Sequence, residues 1–71
     1  MLYGRLSDVL REWRGNRTQE EIARAAGLTQ SAVSQIETGH ARPRADTLAR
    51  LCQALGRTEA ELAAQIAREV A

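Results

Sequence analysis

Residues 18–39, TQEEIARAAGLTQSAVSQIETG, constrain the fold more than any other segment of this chain. Thr18 and Glu21 have the spacing of a capping box, which predicts a helix start. Gly27 is the residue type that most readily takes the left-handed conformation ending a helix. Thr29 is a favourable N-cap for a second helix, which the final glycine of the segment ends. The segment therefore predicts two short helices joined by a tight turn.

The two sides of the second predicted helix differ in chemistry. At about 100° per residue, Val33 and Ile36 converge on one side. The opposite side bears only amides and hydroxyls, from Gln30, Ser31, Ser34 and Gln35. A helix that only faces water more often carries Glu, Lys or Arg there, whereas amides and hydroxyls match base edges in the DNA major groove. This pattern alone leaves two interpretations open, a DNA-reading helix-turn-helix and an ordinary polar surface helix.

The rest of the chain also has helical periodicity. Apolar residues recur at helical spacing before and after the central segment, at Leu6, Val9, Leu10, Trp13, Leu48, Leu51, Cys52 and Leu55. A second capping box, Thr58 with Glu61, predicts a fifth helix that runs almost to the last residue. No stretch alternates as a strand does. We therefore expect an all-α, compact five-helix fold, and 71 residues allow one domain, residues 1–71.

The composition argues against other kinds of chemistry. One cysteine and one histidine cannot form a typical structural zinc site, and a single cysteine forms no internal disulfide. No motif supplies a convergent nucleophile and base, so we expect no enzyme, no metal and no cofactor. The N-terminus lacks the long apolar run of a signal peptide, and no apolar stretch approaches the length of a membrane span. These observations predict a cytoplasmic protein. His40 could touch a phosphate or simply be an exposed turn residue.

Charge is unevenly distributed along the chain. Residues 1–58 hold nine arginines against six acids, whereas residues 59–71 hold one arginine against three acids. All ten basic residues are arginine, which suits phosphate contacts and is equally explained by a GC-rich genome. Three of them, Arg17, Arg42 and Arg44, lie next to the predicted helices 2 and 3 in sequence. We predict phosphate contacts for these three, with solvated surface charges as the alternative.

The segment TQEEIARAAGLTQSAVSQIETG, followed by Pro43 and TLARLCQALG, resembles the lambda-repressor-like or Cro-type helix-turn-helix family, often labelled XRE. The resemblance covers residues 6–62 and implies a five-helix domain whose third helix reads DNA. It implies that Gln19 binds a DNA phosphate and that Gln30 occupies the usual base-contact position. The remaining matched base-contact positions are Ser31, Ser34 and Gln35.

This chain departs from the family pattern before the second helix. The link that precedes Gln19 is about two residues shorter than usual, so residues 13–18 could turn differently. In the shifted alignment, Arg14 matches a family arginine that pairs with the glutamate of the third helix, here Glu37. The resemblance therefore implies a structural ion pair between Arg14 and Glu37, with separate solvation of the two side chains as the alternative.

The fifth predicted helix carries a broad apolar stripe, which includes Leu62, Ile66 and Val70. The stripe could pack wholly within its own domain or meet a second copy of the chain. Two copies would place their reader helices one DNA turn apart. The resemblance implies that short members of the family dimerise through this helix, so we predict a homodimer through these residues. The predicted function is a sequence-specific repressor that binds a palindromic operator in double-stranded DNA. The alternatives are an antitoxin or other interaction module with a protein partner such as a toxin, and a controller protein of a restriction-modification system.

Overall fold

The computed structural model describes residues 4–70, and side chains are described for residues 5–68. The described residues form five helices: α1 (Gly4–Arg14), α2 (Gln19–Ala26), α3 (Gln30–Glu37), α4 (Ala45–Ala54) and α5 (Glu59–Val70). This confirms the all-α, five-helix fold that the sequence predicts. Helix α2 packs against α3 and α4, while α1 packs against α3 and α5, and α4 also packs against α5.

The helix boundaries follow from the local sequence. The Thr18 and Thr29 side chains accept hydrogen bonds from the amides of Glu21 (3.0 Å) and Ala32 (3.1 Å), and thus cap α2 and α3. In the described structure, the Thr18 cap is one-sided, because the Glu21 carboxylate does not return the bond. Among the described residues, the reciprocal box is formed by Thr58 and Glu61 at the start of α5. Gly27 adopts a φ of 71° at the end of α2, a conformation that a side chain would strain.

An aliphatic core occupies the space between the five helices. The larger cluster packs the first four helices together and consists of Leu10, Ile22, Ala23, Ala26, Val33, Ile36, Leu51 and Leu55. A second cluster lies where α5 packs on α1 and α4, and is formed by Val9, Cys52 and Leu62. These clusters fix the position of α3 from its buried side, and Leu62 anchors α5 to the same domain.

The predicted dimer residues of α5 need one correction. Leu62 is only 3% exposed, because it fills the second core cluster of its own chain. Its side chain therefore offers almost no surface to a second copy. Ile66 is half-buried and packs against the same cluster, so part of its surface remains open. The Val70 side chain lies outside the residues whose side chains are described.

Candidate nucleic-acid interface

Helix α3 separates its buried and exposed residues as its sequence predicts. Its inner face buries Val33, Ile36 and Glu37. Its outer face exposes Gln30, Ser31 and Gln35, while Ser34 is half-buried. The sole charged residue of α3 is on the buried side, so the exposed face presents neutral hydrogen-bond donors and acceptors. Such a face can pair with base edges without preferring one sign of charge.

An ion pair ties α3 to α1. Arg14 donates from Nε and Nη2 to the two carboxylate oxygens of Glu37, at 2.8 and 3.0 Å. This is the two-pronged geometry that makes arginine–carboxylate pairs directional. The hydrogen bond to Glu37 raises the pKa of Arg14 above its usual value, and this effect exceeds the opposing effect of burial. The pair that the resemblance implies is therefore present in the structure.

Helix α2 is joined to the same carboxylate. The Gln19 side-chain amide nitrogen donates to Glu37 Oε1 at 3.0 Å. An amide group has two N–H hydrogens, so this bond leaves one hydrogen available. Gln19 is half-buried at the first position of α2, where the backbone amides of a helix start are also unpaired. A phosphate contact from Gln19 is thus compatible with its bond to Glu37 and stays a prediction.

A third contact to α3 comes from a buried serine of α1. The Ser7 hydroxyl donates to the backbone carbonyl of Ile36 at 2.7 Å, and Ser7 is almost fully buried. The sequence interpretation missed this residue. A small polar residue between apolar residues on the inward face of α1 was the available signal. The bond fixes the end of α3 against α1, next to the Arg14–Glu37 pair.

The loop between α3 and α4 exposes two of the predicted phosphate contacts. Arg42 and Arg44 are both exposed, and Pro43 between them is half-buried. Arg44 occupies the N-cap position of α4 with no side-chain capping bond. Its guanidinium is therefore not used to start the helix. Both arginines lie on the loop that leaves the reader helix, which is compatible with the predicted phosphate contacts.

Arg17 has a different environment from the one the sequence predicts. Its guanidinium donates to the backbone carbonyls of Trp13 (3.0 Å), Arg14 (3.3 Å) and Ala54 (3.5 Å). These carbonyls lie at the ends of α1 and α4, where helices leave acceptors without internal partners. Arg17 thus caps two helix ends in the free protein. A phosphate contact from Arg17 would require it to give up these bonds.

Residues 10–62 match the family model described as Helix-turn-helix, which covers more than half of the chain. The chain belongs to the helix-turn-helix family. With this assignment, the protein is a DNA-binding transcriptional regulator of the XRE type. A search of curated protein sequences found no match.

Three solved structures resemble almost the whole chain. A mutant of the restriction-modification controller protein C.Esp1396I superposes with a TM-score of 0.90 at 22% identity, covering 99% of this chain and 94% of that one. The clp gene regulator ClgR from Corynebacterium glutamicum superposes with a TM-score of 0.87 at 28% identity, covering 97% and 76%. A second ClgR structure gives 0.86 at 29% identity, covering 100% and 94%. At 22% identity, the similarity to the controller protein shows a shared fold and no more.

The exposed side of α5 borders an open groove. The groove has a volume of about 670 Å³ and is largely apolar, and it is lined by Leu6, Arg42, Pro43, Ala45, Leu48, Glu59, Leu62, Ala63 and Ile66. It therefore extends from the open surface of α5 to the loop between α3 and α4. Within residues 4–70, no helix is long and apolar enough to cross a membrane. The described side chains also include no group of three or more metal-ligating residues.

Proposed function

We propose that this regulator is a repressor that binds a palindromic operator as a homodimer, with α3 in the major groove and without a cofactor. The observation that supports this proposal best is the exposed face of α3, which is neutral and rich in amides and hydroxyls. Side chains of three residues hold the C-terminal end of that helix, namely Ser7, Arg14 and Gln19. A rigid, neutral reader face is suited to distinguishing bases.

The proposed base contacts are Gln30, Ser31, Ser34 and Gln35. An exposed glutamine can donate and accept together, which matches the N6 and N7 positions of adenine. Gln30 is the leading candidate, because the N-terminal residues of a recognition helix usually reach the base edges. Ser34 is half-buried and would touch a base only if α3 enters the groove deeply.

The proposed phosphate contacts orient the reader helix on the duplex. Arg42 and Arg44 would bind the backbone beside the major groove, and Gln19 would donate its remaining N–H to a phosphate at the start of α2. Such contacts carry no sequence information by themselves. They do make affinity strongly dependent on salt, because each neutralised phosphate releases counterions.

Two copies of the domain would read a site that one copy reads only in half. An eight-residue helix is about 12 Å long and spans only a few base pairs. A two-fold dimer places two such helices about 34 Å apart, which selects a palindrome. We propose that the second copy meets the groove beside α5 through Ile66 and Ala63. Leu62 lies beneath this surface and supports it from the core.

The base contacts are tested by selecting bound sites from random duplex DNA. The proposal expects a symmetric consensus for the wild-type chain. Gln30→Ala should relax the preference at one position of each half-site, by a factor corresponding to about 1–3 kcal/mol. Gln53→Ala is the matched control, since Gln53 is an exposed glutamine on α4. An unchanged consensus for Gln30→Ala would refute the reader assignment, and an absence of enrichment would refute the function.

The dimer is tested by measuring the molecular mass in solution across a concentration series. Ala63→Glu places a charge in the groove and should shift the protein towards the monomer. Ala64→Glu is the control, because Ala64 is an exposed alanine of α5 that does not line the groove. If both variants have the wild-type mass profile, the second copy does not use this groove.

A further inference from the structure

The link between α1 and α2 is short and turns the chain within residues 15–18. Gly15 takes a φ of 59° after the end of α1, and the Arg17 amide donates to the Arg14 carbonyl at 3.2 Å. This link is also about two residues shorter than in the family pattern. Since so few residues join the two helices, the contacts of the link decide where α2 begins.

The Arg17 side chain ties this link to the ends of two helices. Its Nη2 donates to the Trp13 carbonyl and its Nε to the Arg14 carbonyl, both in the last turn of α1. Its Nη1 donates to the carbonyl of Ala54, the last residue of α4. Carbonyls at a helix C-terminus lack internal partners and carry partial negative charge, which suits a guanidinium. All three guanidinium nitrogens are engaged, and their planar arrangement lets one side chain bond to both helices.

The backbone of Arg17 is in turn connected to the reader helix. Arg14 Nη1 donates to the Arg17 carbonyl at 2.7 Å, while the other two nitrogens of that guanidinium bind Glu37 of α3. The residue after Arg17 is Thr18, the N-cap of α2. Gln19 follows it and also donates to Glu37. Arg17 therefore lies where the start of α2 is fixed relative to α1, α3 and α4.

The partners of Arg17 distinguish it from other exposed arginines of the chain. Arg11, Arg24 and Arg57 each pair with a carboxylate three or four residues away. Such exposed pairs contribute little to stability, because solvent screens them. Arg17 is exposed as well, but it bonds to backbone carbonyls of two helices. Its contacts therefore depend on the direction of the hydrogen bonds more than on charge.

We propose that Arg17 is a positioning residue for DNA binding, which stays on the ends of α1 and α4 and holds Gln19 in place to bind its phosphate. This inference rests on the proposed phosphate contact of Gln19. Arg17 itself then neutralises no phosphate. Its loss lets the short link move, and the side chain of Gln19, two residues later, is no longer held at the distance that its bond to DNA requires.

The first test compares Arg17→Lys with Arg17→Gln by fluorescence anisotropy, on a duplex that carries the consensus selected for the wild-type chain. Affinity is measured over a series of salt concentrations, at a temperature where circular dichroism shows each variant to be folded. Lysine keeps the charge but has a single nitrogen, which cannot bond to both helix ends. Both variants should bind about three- to tenfold more weakly than the wild type, with an unchanged salt slope. Arg11→Gln removes the same charge from α1 and is the matched control, which should bind within about twofold of the wild type.

The second test is a double-mutant cycle between Arg17 and Gln19, which a merely structural role of Arg17 would leave additive. Gln19→Ala should weaken binding on the order of tenfold, as expected for one hydrogen bond to a charged group. Because Arg17 acts through Gln19, Arg17→Gln should then change the affinity of the Gln19→Ala chain by less than about twofold.

The outcomes separate this inference from the proposed function. If Arg17→Lys binds like the wild type while Arg17→Gln lowers the salt slope by about 0.9 for each protomer, Arg17 binds a phosphate itself and this inference alone is overturned. Wild-type affinity for both Arg17 variants, or fully additive losses in the cycle, would also overturn it alone. Wild-type affinity for Gln19→Ala would remove the proposed phosphate contact and this inference with it. A wild-type chain that binds no duplex at low salt would refute the proposed function as a whole.

Discussion

The Arg14→Met substitution tests how the reader helix is held in place. The Arg14 and Glu37 side chains pair at 2.8 Å, but their exposures differ, 22% for Arg14 and 4% for Glu37. Removal of Arg14 leaves a carboxylate that water reaches poorly. In the described structure, the only other side-chain donor to that carboxylate is Gln19. Methionine retains much of the arginine stem, so the substitution removes the charge and its hydrogen bonds while keeping the packing.

The magnitude follows from this unequal burial. Breaking a buried pair from one side costs about 3–5 kcal/mol, and the lower value applies because Arg14 is partly exposed. A chain of this size has a total stability of about 4–10 kcal/mol. A loss of about 3 kcal/mol would therefore lower the Tm by roughly 12–24 °C, at about 4–8 °C for each kcal/mol. Substitution of the other partner, Glu37→Met, should lower the free energy of unfolding by less, about 1 kcal/mol, because Arg14 can turn towards water.

Thermal and urea denaturation followed by circular dichroism measure both losses. The Arg14→Met, Glu37→Met double variant is the decisive control, since it removes the uncompensated carboxylate and should recover much of the stability lost by Arg14→Met. Two results would refute the reasoning. One is an Arg14→Met variant with a Tm within about 2 °C of the wild type. The other is a larger loss for Glu37→Met than for Arg14→Met.

Three further predictions concern the contacts of α5 and its neighbours. Burial, with the carboxylates at the start of α5, raises the pKa of the Cys52 thiol, so native protein should react with a thiol reagent far more slowly than urea-unfolded protein. Hydrogen bonds from the Thr58 backbone amide, and then from Arg57, lower the pKa of Glu61. The stability that the ionised Glu61 contributes is present above its unfolded pKa and is lost as the pH falls through the lower folded pKa. Glu61→Gln should therefore make the Tm fall less steeply with decreasing pH below about pH 4. Arg57 lies 4.9 Å from the centre of the Trp13 ring, so Arg57→Ala should cost about 0.5–1 kcal/mol and alter tryptophan fluorescence, while Arg57→Lys should cost less.

The sequence predicts best those features that depend on a few neighbouring residues. The Thr18 and Thr29 caps and the left-handed Gly27 are local, and the structure has all three. The uncharged outer face of α3 also follows from helical periodicity alone. Arg14 and Glu37 are 23 positions apart, and only the family resemblance made their pairing predictable.

Contacts that depend on packing were harder to predict. Arg17 reaches a carbonyl 37 positions away, and that contact exists only because α4 ends beside α1. Ser7 and Ile36 are 29 positions apart. For Leu62, the apolar stripe of α5 predicts that something covers it but does not say what. The structure shows that residues of α1 and α4 cover Leu62. Of the three predicted dimer residues, Ile66 is therefore the one whose described side chain keeps exposed surface for a second copy.

The arrangement of supports around α3 explains how a very short helix can act as a reader. Eight residues are too few for a helix to be stable alone in water, so packing and tertiary contacts must hold α3 in shape. The side-chain supports from Ser7, Arg14 and Gln19 all reach Ile36 or Glu37, at its C-terminal end. The N-terminal turn is thereby left open to enter a groove. Substitutions at the supports should consequently weaken binding to every sequence alike, whereas substitutions in the N-terminal turn should change which sequence is preferred.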